Sequence, residues 1–185
     1  MNMTQHVGKI LLVQPDPDAV EALIGAFCRR FDTLITCVAD AESCLDTDML
    51  EPHDLVVAEM DLEDATGLEL AEQLLTLRSR PVILLADTID ADDALHAMRL
   101  GVRDIFPRPF LLDELLDSAD RALRGHHLHR QHAIKYHRMR KLVRQVVRER
   151  RELHQRVDLV CRDLVQAQRK LVHKVVAREA GAPDS

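Results

Sequence analysis

Aromatic residues make up only 3% of the 185-residue chain and tryptophan is absent, so platforms for stacking nucleic-acid bases have almost nothing to be built from. Four cysteines, Cys28, Cys37, Cys44 and Cys161, show no CxxC or Cys/His spacing. That excludes a recognisable thiolate metal site and reads as reduced, buried thiols in apolar or helical surroundings. The six glycines are scattered. No glycine-rich phosphate loop, GxSxG elbow or metalloprotease motif occurs, so no catalytic residue is assigned, and neither a cofactor nor a metal is expected. No apolar run approaches the length of a membrane span, and residues 1–8 lack a charged start followed by an apolar stretch. A cytoplasmic protein without membrane contact is expected.

What the chain does have is division. It is 46% hydrophobic and 30% charged, enough for one good core. Residues 1–124 hold 10 Lys+Arg against 25 Asp+Glu, net −15, and residues 125–185 hold 15 against 6, net +9, together giving −6. Seven of the ten histidines also fall in the second part. Segments of opposite sign are separate physical objects, so a domain over 1–124 and an extension over 125–185 are expected.

Within the first part, residues 9–13 form a short unalternating apolar run, as in a strand covered on both faces, and Pro15 and Pro17 end it in a loop. Asp16 or Asp18 can cap the following helix, where Val20, Leu23, Ile24 and Phe27 recur at helical spacing. A strand over 34–38 and a helix over 41–50 follow. The stretch 54–70 is the centre of the pattern: an apolar run ends at Glu59 in acidic residues, then Gly67 opens a helix to about Leu77. Residues 81–86 read as a fourth buried strand. Ala91, Ala94, Leu95, Met98 and Leu100 mark a helix closed by Gly101, and a fifth strand over 102–106 and a helix over 112–123 complete the series. Five strands alternating with five helices imply a parallel sheet covered on both faces, with its functional edge at the strands' carboxyl ends.

The runs at 9–13 with Pro17, 54–70 with Gly67, 81–85, and Gly101-Val102-Arg103-Asp104-Ile105-Phe106-Pro107-Arg108-Pro109-Phe110 together resemble the receiver domain of two-component response regulators. The resemblance implies an α/β, flavodoxin-like, doubly wound five-stranded parallel sheet over about two thirds of the chain. It also implies a site: two acidic residues after the first strand that help hold magnesium, a phosphoryl-accepting aspartate ending the third, a Thr/Ser ending the fourth, and a Lys before the proline after the fifth. Here those positions hold Gln14 and Pro15, Glu59, Ala86, and Arg108.

Each replacement removes a function. Gln14 offers magnesium a neutral amide oxygen and Pro15 offers no side-chain oxygen, where the ion wants carboxylate charge in octahedral geometry. Glu59 carries one more methylene than aspartate, which displaces its carboxylate from in-line attack, and positioning dominates phosphoryl transfer. Ala86 cannot hydrogen-bond a phosphoryl oxygen. Ile105 stands where the family usually has an aromatic switch. The resemblance therefore implies a pseudo-receiver. Glu59 facing Arg108 either imitates a phosphorylated aspartate or forms a structural ion pair, the second being the plainer reading. Asp16 and Asp61 leave residual cation binding as an alternative, although exposed acidic loops are more often just solvated.

From His126 to about Ala177 there is no proline or glycine, and the composition favours one long helix reaching on the order of 75 Å. Leu142, Val146, Leu153, Val157, Val160, Leu164, Ala167 and Leu171 form an apolar seam, with a stutter at the Leu153–Val157 step. A coiled coil, most simply a parallel homodimer, is the expected result. His126, His127, His129 and His132 crowd the junction without a recognised ligand spacing and read as a solvated turn of helix. Lys135, Arg138, Arg140, Lys141, Arg144 and Arg148, continuing through Arg150 and Arg151, could lie along nucleic-acid phosphates or an acidic protein.

The resulting expectation is a phosphorylation-independent signalling adaptor or regulatory subunit, dimerised by its helix. It would bind a signalling protein through the face carrying Asp92, His96, Arg99, Arg103 and Ile105, which receivers commonly use. No output domain follows the helix within this sequence, so output is expected in trans or on a longer chain. Nucleic-acid binding by 135–151, and a receiver still phosphorylated on Glu59 or Asp61, are the alternatives.

Overall fold

The computed structural model describes residues 8–179, with side chains to residue 170. The start of the chain before Gly8 and the Leu171 side chain lie outside the described residues. The order is β1 (Gly8–Val13), α1 (Pro17–Arg30), β2 (Thr33–Val38), α2 (Ala41–Leu50), β3 (Leu55–Glu59), α3 (Gly67–Leu77), β4 (Val82–Ala86), α4 (Ala91–Leu100), β5 (Asp104–Pro107) and α5 (Leu112–Glu179). All strand pairs are parallel, in the order β2-β1-β3-β4-β5. The expected five-stranded, doubly wound architecture is therefore present, and the long helix follows it.

The unalternating runs have the predicted cause. Every residue of β3 and of β4 is buried, and successive side chains point to opposite faces. Leu11, Val56, Ala58, Val82 and Leu84 pack on one side with α2, α3 and α4. Ile10, Leu12, Leu55, Val57, Ile83 and Leu85 pack on the other with Leu23 and Phe27 of α1 and Leu115 and Ala119 of α5. Burying a side chain of this size contributes about 1.5–3 kcal/mol each, so two apolar layers on one sheet dominate the fold.

Caps place the helices. Asp16, not Asp18, caps α1 by accepting the Asp18 amide. Asp40 accepts the Ser43 amide at α2, and the Asp64 carboxylate reaches from the β3–α3 loop to accept the Ala41 and Glu42 amides at 2.9 Å each. These donors hold the Asp64 carboxyl below its ordinary pKa. Thr66 and Glu69 form a reciprocal capping box on α3. Gly101 closes α4 at φ 89°, a left-handed conformation that favours glycine. Gly67 has a different reason: a Cβ there would lie 2.6 Å from the Glu59 carbonyl oxygen, so α3 packs directly on the end of β3.

Several expectations change. The sequence suggested a junction near Gly125, whereas α5 runs through it unbroken. One glycine costs a helix only about 1 kcal/mol, and Leu115, Ala119 and Ala122 anchor the preceding turns. The first compact unit accordingly extends past Arg124 to Gln131, and the second is His132–Ser185. Cys28 and Cys161 are exposed, and only Cys44 is fully buried, where burial pushes its thiol up to about 12. α4 forms as expected, with Leu95 and Met98 exposed. The second unit, taken by itself, is helical through Glu179, with the side chains of 132–170 exposed throughout. Among the described residues no helix is long and apolar enough to cross a membrane.

The amino-terminal edge of the sheet hides a polar cluster. Arg80 forms a buried ion pair with Asp48, whose carboxylate also accepts the His53 amide at 3.0 Å. His53 Nδ1 lies 3.4 Å from Asp48 Oδ1 and Nε2 lies 3.3 Å from Thr36 Oγ1. Burial disfavours the imidazolium more than Asp48 and Glu51 favour it, and the His53 pKa falls below 6.5. The unfolded chain therefore binds more protons than the folded one as pH drops through about 6.5. Stability from this group is complete above that value and is lost toward and below the depressed folded pKa. Urea unfolding at pH 7.5 and pH 5.5 should show lower stability at the acid value, and H53Q should flatten part of that slope.

Candidate functional site

Four of the five predicted site residues meet at the sheet's carboxyl edge. Glu59 is the last residue of β3, beside Leu85 in the parallel register, and is only 7% exposed. A carboxylate at that burial needs partners. Arg108, just beyond β5, supplies a fork: its Nη1 donates to Glu59 Oε1 at 2.6 Å and its Nη2 to Oε2 at 2.8 Å. Gln14, immediately after β1 and also buried, donates from Nε2 to Glu59 Oε2 at 2.7 Å. Its other end accepts the Asp16 amide at 3.2 Å.

Arg108 is tied down in turn. Nη1 also donates to Asp87 Oδ1 at 3.0 Å, and its backbone amide donates to the carbonyl of Ala86 at 2.7 Å. The hydrogen bonds to Glu59, followed by the attraction of Glu59 and the bond to Asp87, outweigh partial burial and raise the guanidinium's pKa. Ala86, the last residue of β4, is completely buried, so the fourth family position contributes main chain only. Pro15 is half-buried and contributes no polar side chain.

The surroundings are acidic. The loops along this edge carry Asp16, Asp40, Asp61, Glu63, Asp64, Asp87 and Asp90, and Arg108 is their one Lys or Arg. Asp16 is occupied in capping α1. Asp61 is exposed, in an isolated bridge with Thr66. Among the described residues no group of three His, Cys, Asp or Glu is gathered for a metal ion. Both Glu59 oxygens and both ends of Gln14 are already engaged, so the arrangement is a closed hydrogen-bonded network of fixed charge. It does not resemble a nucleophile held open to a substrate.

The other predicted positions lie elsewhere. Asp92, His96 and Arg99 are exposed on α4, and Arg103 is exposed on the turn before β5. Ile105 is half-buried on β5, packed against the core layer of α2–α4. With Leu95 and Met98 they give the α4 side an exposed apolar and charged surface. His126 is half-buried, and burial lowers its pKa. His129 Nδ1 is bonded to the Gly125 carbonyl at 2.8 Å and His127 Nε2 meets Gln131 Nε2 at 2.6 Å, an ordinary helix-surface arrangement. His132 is exposed, as are Lys135, Arg138, Arg140, Lys141, Arg144 and Arg148. The seam from Leu142 to Leu164 is exposed on α5.

Sequence reasoning missed Gln14 and Asp87 as partners. Gln14 stood only as a lost magnesium ligand. Its place one residue beyond β1, next to the strand ending at Glu59, was the available signal.

Because Glu59 is the more buried partner, the two ends of the pair should respond unequally. R108A strands a buried carboxylate and should cost about 2 kcal/mol, discounted for Arg108 being a third exposed. E59Q strands no buried charge and should cost clearly less. Equal losses in urea unfolding would refute this account of the network.

Comparison with known proteins gives a consistent answer. The family model for the response regulator receiver domain matches residues 10–120. The transcriptional activator protein PfeR of Pseudomonas aeruginosa is 33% identical over 116 residues, 63% of this chain and 38% of that protein. The C4-dicarboxylate transport transcriptional regulatory protein DctD of the same species is 31% identical over 153 residues, 80% of this chain and 30% of that protein. The chain thus spans well under half the length of either relative. The non-phosphorylated HemR receiver domain of Leptospira biflexa superposes with a TM-score of 0.58 at 26% identity, covering 63% of this chain and 94% of that one.

Proposed function

The chain belongs to the response regulator receiver domain family, and on that basis we propose that it is a pseudo-receiver: a non-enzymatic, phosphorylation-independent adaptor that dimerises through its helix and binds a signalling protein. One observation carries the reading. Glu59, at the position of the family's phosphoryl acceptor, is held bidentately by Arg108 and capped by Gln14. Both of its oxygens are engaged by the protein, in three hydrogen bonds, and no hydroxyl stands at Ala86 to donate to a phosphoryl oxygen. The network holds its charge permanently, so any signal reaches this domain by association. The α4 side, with exposed Leu95 and Met98 among Asp92, His96, Arg99 and Arg103, is the surface offered to a partner.

A second reading has its own support. The basic helix over 135–151 carries eight Lys or Arg against Glu149, and the relatives above are named as transcriptional regulators. Phosphate contact by those cations would make binding to duplex DNA fall steeply with salt. Weak, salt-insensitive binding would remove this reading.

Two measurements test the first reading. Incubation of the full chain with magnesium and a small acyl phosphate should leave its intact mass unchanged, whereas a phosphoryl adduct on Glu59 or Asp61 would overturn phosphorylation independence. Light scattering should give a dimer for the full chain and a monomer for residues 1–131; a monomeric full chain would overturn the dimeric adaptor.

A further inference from the structure

The second unit presents an aliphatic stripe with one charge set in it. Val143, Val146, Leu153, Val157, Val160 and Leu164 are between 53% and 64% exposed, and apolar side chains lined up in this way, unlike singly scattered ones, mark an interaction surface. Taking Val143 in place of Leu142 gives a heptad without a stutter: Val143, Val157 and Leu164 fall at a, at multiples of seven residues, and Val146, Leu153 and Val160 at d. The remaining a position in this series is Arg150. Its neighbour Glu149, at g, is bonded within its own helix only to Gln145, at 2.9 Å.

We propose that Arg150 sets the register of a parallel, two-stranded coil between two copies of this chain, each Arg150 pairing across the seam with Glu149 of the second copy. This rests on the dimer reading above and adds orientation, register and the residue that fixes them. Charge complementarity carries it. In a parallel, in-register pair the g residue of one helix flanks the following a position of the other, so both guanidinium groups leave the apolar layer and meet a carboxylate. A slip of one heptad puts Arg150 of one helix opposite Val143 flanked by Leu142, and at the same time Arg150 of the other opposite Val157 flanked by Arg156. The slipped register therefore leaves two cations in the seam without a counter-charge, and Arg156 adds repulsion to one of them. A single polar residue at one a position is a recognised way to fix register at some expense of stability. Valine at a with leucine among the d residues also suits two strands.

The test uses the full chain with R150E and with the charge swap E149R/R150E, read by the concentration dependence of dimer formation. R150E places glutamates against glutamates and should weaken the dimer by about tenfold or more, and the swap should restore it to within about threefold of the native chain. A native dimer indifferent to R150E, or one that the swap fails to restore, overturns the register proposal while leaving the dimer reading intact. A native chain that is monomeric overturns both.

Discussion

The burial of Glu59 is the constraint on which the rest of the site depends. β3 lies in the middle of a five-stranded sheet with every residue buried, and its last residue is a carboxylate. Removing that group from water is expensive unless its lone pairs are met. The chain meets them from the strands on either side: Gln14 from β1, next to β3, and Arg108 from beyond β5, two strands away. Gly67 lets α3 rest on the same backbone without a side chain between. The ends of β1, β3 and β5 are thus coupled through one carboxylate, and the start of α3 packs on the main chain of the same residue.

On the pseudo-receiver reading proposed above, that coupling makes a structural element of a site that serves chemistry elsewhere in the family. A phosphoryl acceptor must be ionised, accessible and lightly held, with a cation and a hydroxyl waiting for the transferred group. Glu59 is buried and firmly held, with a guanidinium forked onto both of its oxygens. The planar fork matches a carboxylate in a way an ammonium does not. Asp87 then engages Arg108 from the β4–α4 loop, so even the exposed edge of the network is closed. A mimic of the phosphorylated state and a structural replacement would share this bidentate geometry.

The sheet was legible because its cause is local. Runs such as Val56-Val57-Ala58 and Val82-Ile83-Leu84 could only be strands buried on both faces, and their alternation with helices implied the topology. Arg108 as partner of Glu59 was legible through the resemblance. The remaining partners were not, because they depend on which loops meet in space. Asp64 capping α2 from a loop 22 residues downstream of Glu42 and Asp48 accepting Arg80 beneath the sheet leave no periodic trace. Exposure is a separate matter. Leu95 and Met98 marked the helix correctly, but helical spacing alone does not say which face is covered, and α4 buries only Ala97 fully.

The second unit raises a separate question of what stabilises it. Arg140, Arg144 and Arg148 stand four residues apart, and each like-charge pair at that spacing opposes helix formation by about 0.2–0.5 kcal/mol. Good helix propensity and the Gln145–Glu149 bond offset only part of this. Covering one valine or leucine contributes about 1.5–3 kcal/mol, so burial of even part of the aliphatic stripe outweighs the whole charge ladder. On the dimer proposed above, helical order there and association would be one equilibrium, the stripe favouring the helix once the second copy covers it. A charge placed inside that stripe, at Arg150, then decides which covering arrangement is tolerated.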